Sequence, residues 1–131
     1  MTTRRVPDRD TGATTVELVL VLPVFMGAVL LAVQVGMVVF AAQVVEDAAH
    51  NAVEAARGER DPDTAGVASA DQSLAATGAV TDPHVDVRRD GDRVTVDVAG
   101  TAARVVPGVA LRVASTATGV IERFRPQPER P

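Results

Sequence analysis

The sequence predicts a membrane-anchored α+β protein: a long N-terminal helix, half transmembrane and half outside, carrying a small antiparallel β-sheet. Three observations lead there. Between Glu17 and Glu46 lie 28 consecutive uncharged residues, 18–45. An alanine-rich stretch at helical spacing follows directly, up to Gly58. Further on, valines alternate with charged residues on both sides of Asp90-Gly91. Composition narrows the function. Of 131 residues 47% are hydrophobic but only 2% aromatic, namely Phe25, Phe40 and Phe124. So few aromatics do not suit base stacking or an aromatic-lined pocket, and a net charge of −4 does not suit a polyanion binder. The absence of cysteine excludes disulfides, thiolate zinc sites and cysteine nucleophiles.

As a helix the uncharged run reaches about 42 Å, against a hydrocarbon core of about 30 Å. It is too long for a buried helix of so small a protein and for the apolar core of an ordinary signal peptide. Residues 18–45 are therefore expected to form a single transmembrane segment. Arg4, Arg5 and Arg9 precede it, while Glu46 and Asp47 follow it directly. The positive-inside rule puts the amino terminus in the cytoplasm and the rest outside. Pro23 removes one helical hydrogen bond, so a kink is expected near the cytoplasmic end. Ala28, Ala32 and Gly36 repeat every four residues, a small-residue stripe that lets another helix approach closely. Gln34 and Gln43 are placed to hydrogen-bond across such a contact.

Beyond the bilayer the helix should continue to about residue 57. Ala48, Ala49, Ala52, Val53 and Ala56 keep helical spacing, and Gly58 is a suitable stop. Asp61-Pro62-Asp63 reads as a turn, and a second, shorter helix over about 64–76 ends near Gly78, with Val67, Ala70 and Leu74 as its thin apolar face. Residues 58–83 thus form a linker and short helix. Residues 84–99 read as a hairpin with Asp90-Gly91 as the loop, pairing Val87 with Val94, Val85 with Val96, Asp86 with Thr95 and Arg88 with Arg93. All these valines then share one face, which something must cover. A turn at Pro107-Gly108 precedes a further strand within 111–118 or running on to Phe124, completing a small β region over 84–124. The proline-rich tail, 125–131, is expected to be disordered. With Leu74, Leu111, Ile121, Phe124 and valines as its larger apolar residues, this exterior part should depend on its own helix and on neighbouring subunits for stability.

The junction before the helix carries the sharpest signal. Gly12 is followed by four uncharged residues and then Glu17, a lone carboxylate at the membrane entrance. Glycine lets an extended backbone enter a protease cleft. A cut after Gly12 would leave a new amine on Ala13 as a partner for Glu17, which is costly at that depth without one. Glu17 is equally explained as an interfacial residue at the positive end of the helix dipole. Electrostatics leaves both readings open.

Gly12, four residues, Glu17 and the continuation Leu18-Val19-Leu20-Val21-Leu22-Pro23 resemble a class III prepilin signal and the start of the TadE-like family, pilin-like minor components of the tight-adherence (Tad or Flp) pilus machinery. Gly36, Gln43-Val44-Val45, the alanine-rich residues 47–57 and the end Ile121-Glu122-Arg123-Phe124 extend the resemblance. It implies a pilin-like fold and a pseudopilin role in a pilus or related secretion apparatus. Residues 1–12 would be a leader removed by a prepilin peptidase, with Gly12 before the cut and Ala13 the first mature residue. Glu17, at mature position five, would be the assembly carboxylate that pairs with an N-terminal amine. Residues 13–57 would be the N-terminal helix. Partners would be the peptidase, other pilin-like subunits and the lipid bilayer, at the cytoplasmic membrane or within a pilus. Leu18 departs from the aromatic of the major Flp pilins, and the chain is longer than they are, which points to a minor subunit.

Rival export signals fit less well. Arg4-Arg5 is separated from the apolar run by Pro7 and by Asp8, Arg9 and Asp10, unlike a twin-arginine signal. A signal-peptidase cut near Phe40-Ala41-Ala42 satisfies the small-residue rule but needs an unusually long apolar segment. It would give the alternative function, a secreted binding or sensor domain; the uncut helix would give a membrane-anchored one. Enzyme chemistry is not expected. Glu46, Asp47, His50 and Glu54 bring three carboxylates near one imidazole, a pattern that a solvated helix face also explains. His84 reads as an exposed neighbour of Asp97. Ser69, Ser73 and Ser115 lack a nucleophile-elbow context, and no phosphate loop, dinucleotide fingerprint or calcium loop occurs. No catalytic or metal residue, cofactor, nucleic acid or small-molecule substrate is expected.

Overall fold

The architecture follows from one helix too long for the domain it carries. The computed structural model describes residues 10–58 and 60–121, with side chains from Val16 onward. Helix α1 spans Asp10–Gly58 and helix α2 spans Pro62–Thr77. Strands β1 (Val80–Asp90), β2 (Arg93–Ala102) and β3 (Arg112–Val120) form an antiparallel sheet in the order β1-β2-β3. The fold is α+β, as the sequence predicts. The leader residues 1–9, Phe124 and the tail 125–131 lie outside the described residues.

The sheet covers the outer half of α1. Val94, Val96 and Val98 of β2, with Val113 and Ala117 of β3, are buried against Ala41, Val44, Val45, Ala48, Ala49, Ala52, Val53 and Ala56 of α1. Each inward pair of β2 and β3 sets one valine opposite a small residue: Val94 with Gly119, Val96 with Ala117, Val98 with Ser115 and Gly100 with Val113. A flat alanine-rich helix can therefore lie close beneath the sheet. A β-carbon on Gly119 would press on the Val53 side chain and the Arg57 stem. Helix α2 packs on α1 through Pro62, Gly66, Ala70 and Leu74, one residue per turn. At Gly66 a β-carbon would meet Val87 at 3.2 Å and the Ala52 carbonyl at 3.3 Å, so glycine sets that approach. The left-handed residue Gly78 (φ 61°) ends α2.

Two expectations are corrected. The hairpin loop is Gly91-Asp92, one residue later than expected, so Val87 faces Val96, Val85 faces Val98 and Arg88 faces Thr95. Gly91 has φ +59°, the sign that a two-residue type II′ turn requires at its first central position. The shift moves each residue's partner by two positions, one full side-chain period, so the valines still share one face. It also separates Arg88 from Arg93; Arg88 instead bonds Asp86 at 2.7 Å and Asp97 at 2.8 Å, and these carboxylates raise its pKa above the usual range, Asp86 foremost. His84 consequently faces Ala99, not Asp97. The second correction concerns Leu111, which is exposed, whereas Ile121 is half-buried against the core. The pairing also slips between Thr81 and His84, where Asp82 (φ 50°) and Pro83 form a bulge on an edge strand.

Candidate functional site

Along α1 the surroundings change at Gln34. Residues 16–33 are exposed on every side, and this stretch is the apolar part of a membrane-span candidate whose best window has mean hydropathy 2.6 and is not buried at all. The core helix of a soluble protein would be covered. From Gln34 onward one side of α1 is buried by the sheet and α2, so the expected span 18–45 overlaps the covered stretch.

Gln34 itself is 1% exposed. Its Oε1 accepts hydrogen bonds from the Val105 and Val106 N–H groups at 2.8 and 3.1 Å, and its Nε2 donates to the Ala103 carbonyl at 3.4 Å. One side chain thus secures the β2–β3 loop to the helix. Sequence reasoning gave Gln34 a role between helices; the structure gives it one within the chain. An amide inside an apolar run was the available signal, but its partners lie 69 to 72 residues away. Gln43, by contrast, is exposed.

Of the expected assembly residues, Glu17 and the small-residue stripe fall on open surface. Backbone helix runs through Gly12 and Ala13, which occupy the first turn of α1. Glu17 is exposed next to Leu18. The helix continues through Pro23. Ala28, Ala32 and Gly36 are exposed, and a β-carbon on Gly36 would meet nothing within 4 Å. Ala32 and Gly36 each lie two residues from Gln34, about 200° around the helix, so the stripe faces away from the sheet. Further out, Glu46, Asp47, His50 and Glu54 are exposed, with Glu54 paired to Arg57 at 2.8 Å. No metal-holding cluster occurs among the described residues.

A long helix with a bare apolar half, a small-residue stripe on its open side and a domain seated on its outer half is the geometry to be compared with known proteins. Residues 12–56 match the family model described as TadE-like protein. This segment of the chain is similar to that family. The match begins at Gly12 and ends at Ala56, so it contains Glu17, Pro23, the stripe and Gln34. The sheet and α2 lie beyond the TadE-like segment. No curated protein and no solved structure matches the chain.

Proposed function

We propose that this chain is a TadE-like pseudopilin, a structural and assembly subunit of a Tad pilus or related secretion apparatus. Its N-terminus faces the cytoplasm, a prepilin peptidase cuts after Gly12, and the matured helix packs among other pilin-like helices in the bilayer. The observation that carries this reading is the start of the family match at Gly12, five residues before Glu17 and at the start of a helix whose apolar half is bare. Gly12 and Ala13 lie in the first turn of α1, where the N–H groups have no helical acceptor and unwinding for a protease costs little. After the cut, the Ala13 amine and the Glu17 carboxylate are four residues apart and can pair within or between subunits. The open stripe Ala28, Ala32 and Gly36 supports close packing of a second helix.

Release as a secreted binding or sensor domain is disfavoured on structural grounds. A cut near Phe40-Ala41-Ala42 falls within α1, where Ala41 is fully buried under the sheet, and it discards Gln34. The reading is tested in the native host. Gly12→Glu should block maturation, and Glu17→Ala should leave maturation intact while impairing assembly; normal processing and piliation in both variants would refute it.

A further inference from the structure

The loop between β2 and β3, residues 103–111, joins two facts that have no explanation inside the domain. Its sequence, Ala-Arg-Val-Val-Pro-Gly-Val-Ala-Leu, is apolar but for Arg104, yet Val105 is 38% and Leu111 41% exposed. At the opposite end of the sheet the hairpin turn is Asp90-Gly91-Asp92-Arg93, as expected for a loop in water. The two ends of the sheet therefore differ in kind.

The position of Gln34 on α1 supplies the reason. Glu17 holds the inner end of the apolar stretch at an interface, because a carboxylate is costly deeper in. From Leu18 to Gln34 the helix rises about 25 Å, while the hydrocarbon core is about 30 Å thick. On an upright helix Gln34 thus stops about 5 Å short of the far boundary, and a tilt brings it deeper. The loop bonded to Gln34 must share that depth. Irregular backbone there is tolerated only where its polar groups are satisfied by protein. Several of the loop's groups are paired within the chain: Gln34 takes the N–H groups of Val105 and Val106, Val109 N–H bonds the Val106 carbonyl at 3.3 Å, and the Leu111 carbonyl accepts from Ala102 N–H at 2.9 Å. Arg104 and Arg112, both exposed, flank the loop's apolar residues 105–111 where phosphate headgroups would lie.

We propose that the 103–111 loop is a membrane-interface anchor, embedded in the leaflet on the domain's side with Val105 and Leu111 among the acyl chains and Arg104 and Arg112 at the lipid phosphates. The occupant of this apolar surface is lipid, because the surface is continuous with the bare half of α1. The loop also fixes how the domain sits on the bilayer, which sets which side of α1 is free for other subunits. The proposal rests on the apolar half of α1 spanning a bilayer, and its test reads that separately.

The chain lacks cysteine, so single spin labels report cleanly. The full chain, carrying a label at Phe25→Cys, Val105→Cys, Leu111→Cys or Val120→Cys, is reconstituted in vesicles of phosphatidylcholine and phosphatidylglycerol. Accessibility to oxygen is then compared with accessibility to a water-soluble nickel chelate. Labels at 25, 105 and 111 should favour oxygen several-fold over the label at 120, an exposed apolar position at the other end of the sheet. Labels at 105 and 111 that resemble the one at 120 would overturn the proposal. So would labels shielded from both reagents and broadened by neighbouring spins, which would mean that a second copy covers the loop. A label at 25 in water would instead remove the membrane span itself, and the anchor with it.

Discussion

Replacing Gln34 with leucine isolates the contact that ties the domain to its helix. The substitution keeps the volume roughly constant and extends the apolar run, so it favours the membrane segment while removing the acceptor for Val105 and Val106 N–H. Each buried donor left without a partner costs about 1–3 kcal/mol, and relaxation of the loop brings the pair to roughly 2–4 kcal/mol. If that loss falls on local opening of the loop, amide exchange at 105 and 106 accelerates roughly 30- to 700-fold, at 1.4 kcal/mol per tenfold. Amides of β2 at Val96 and Val98, whose bonds lie within the sheet, should change far less. The assay is amide hydrogen exchange of the full chain in a lipid nanodisc, read residue by residue. Trypsin nicking after Arg104, which is exposed, gives an independent readout of the same opening. Unchanged exchange at 105 and 106 in Gln34→Leu would refute the contact and with it the depth argument for the loop.

The close approach of sheet and helix gives a second expectation. Gly119→Val should lower the melting temperature of the full chain in detergent, because overpacking costs about 1–3 kcal/mol, whereas Ala114→Val on the exposed side of β3 should leave it unchanged. Equal melting of the two variants would contradict the packing. A fragment of residues 46–131 discards Ala41, Val44 and Val45, all buried, as well as Gln34. With each lost valine worth roughly 1.5–3 kcal/mol against the small margin of any domain, the fragment should show no cooperative melt. A sharp transition at high temperature would refute the claim that Gln34 and residues 41–45 of α1 are needed to hold the domain together.

What the sequence revealed was mostly local. Gly58 and Gly78 mark the ends of α1 and α2 because glycine stops helices cheaply, and the valine alternation assigns the buried face of the hairpin whatever its register. The register itself turned on which residue of Asp90-Gly91-Asp92 adopts positive φ, and the structure gives that role to Gly91 as the first residue of the loop. The valines needed a cover, and its identity was less visible. The alanines of residues 48–56 read as one face of a helix, but nothing in their spacing says that a sheet rather than another subunit lies on them. Gln34 was the hardest to read. Its partners belong to a loop about 70 residues later, and an amide in an apolar helix looks the same whether it serves its own chain or a neighbour. The proposed assembly residues Gly12, Ala13 and Glu17 stand out only as a spacing, since a leader signal would be read by other proteins from sequence and not from the fold.

The central claim is that this chain matures as a pilin-like subunit, and the N-terminus tests it most directly. Intact mass and N-terminal sequencing of the protein from native host membranes should give a membrane-bound chain that begins at Ala13, 119 residues long with a formal charge of −5. A chain that still begins at Met1, or one that begins near Ala42 and has left the membrane, would contradict it.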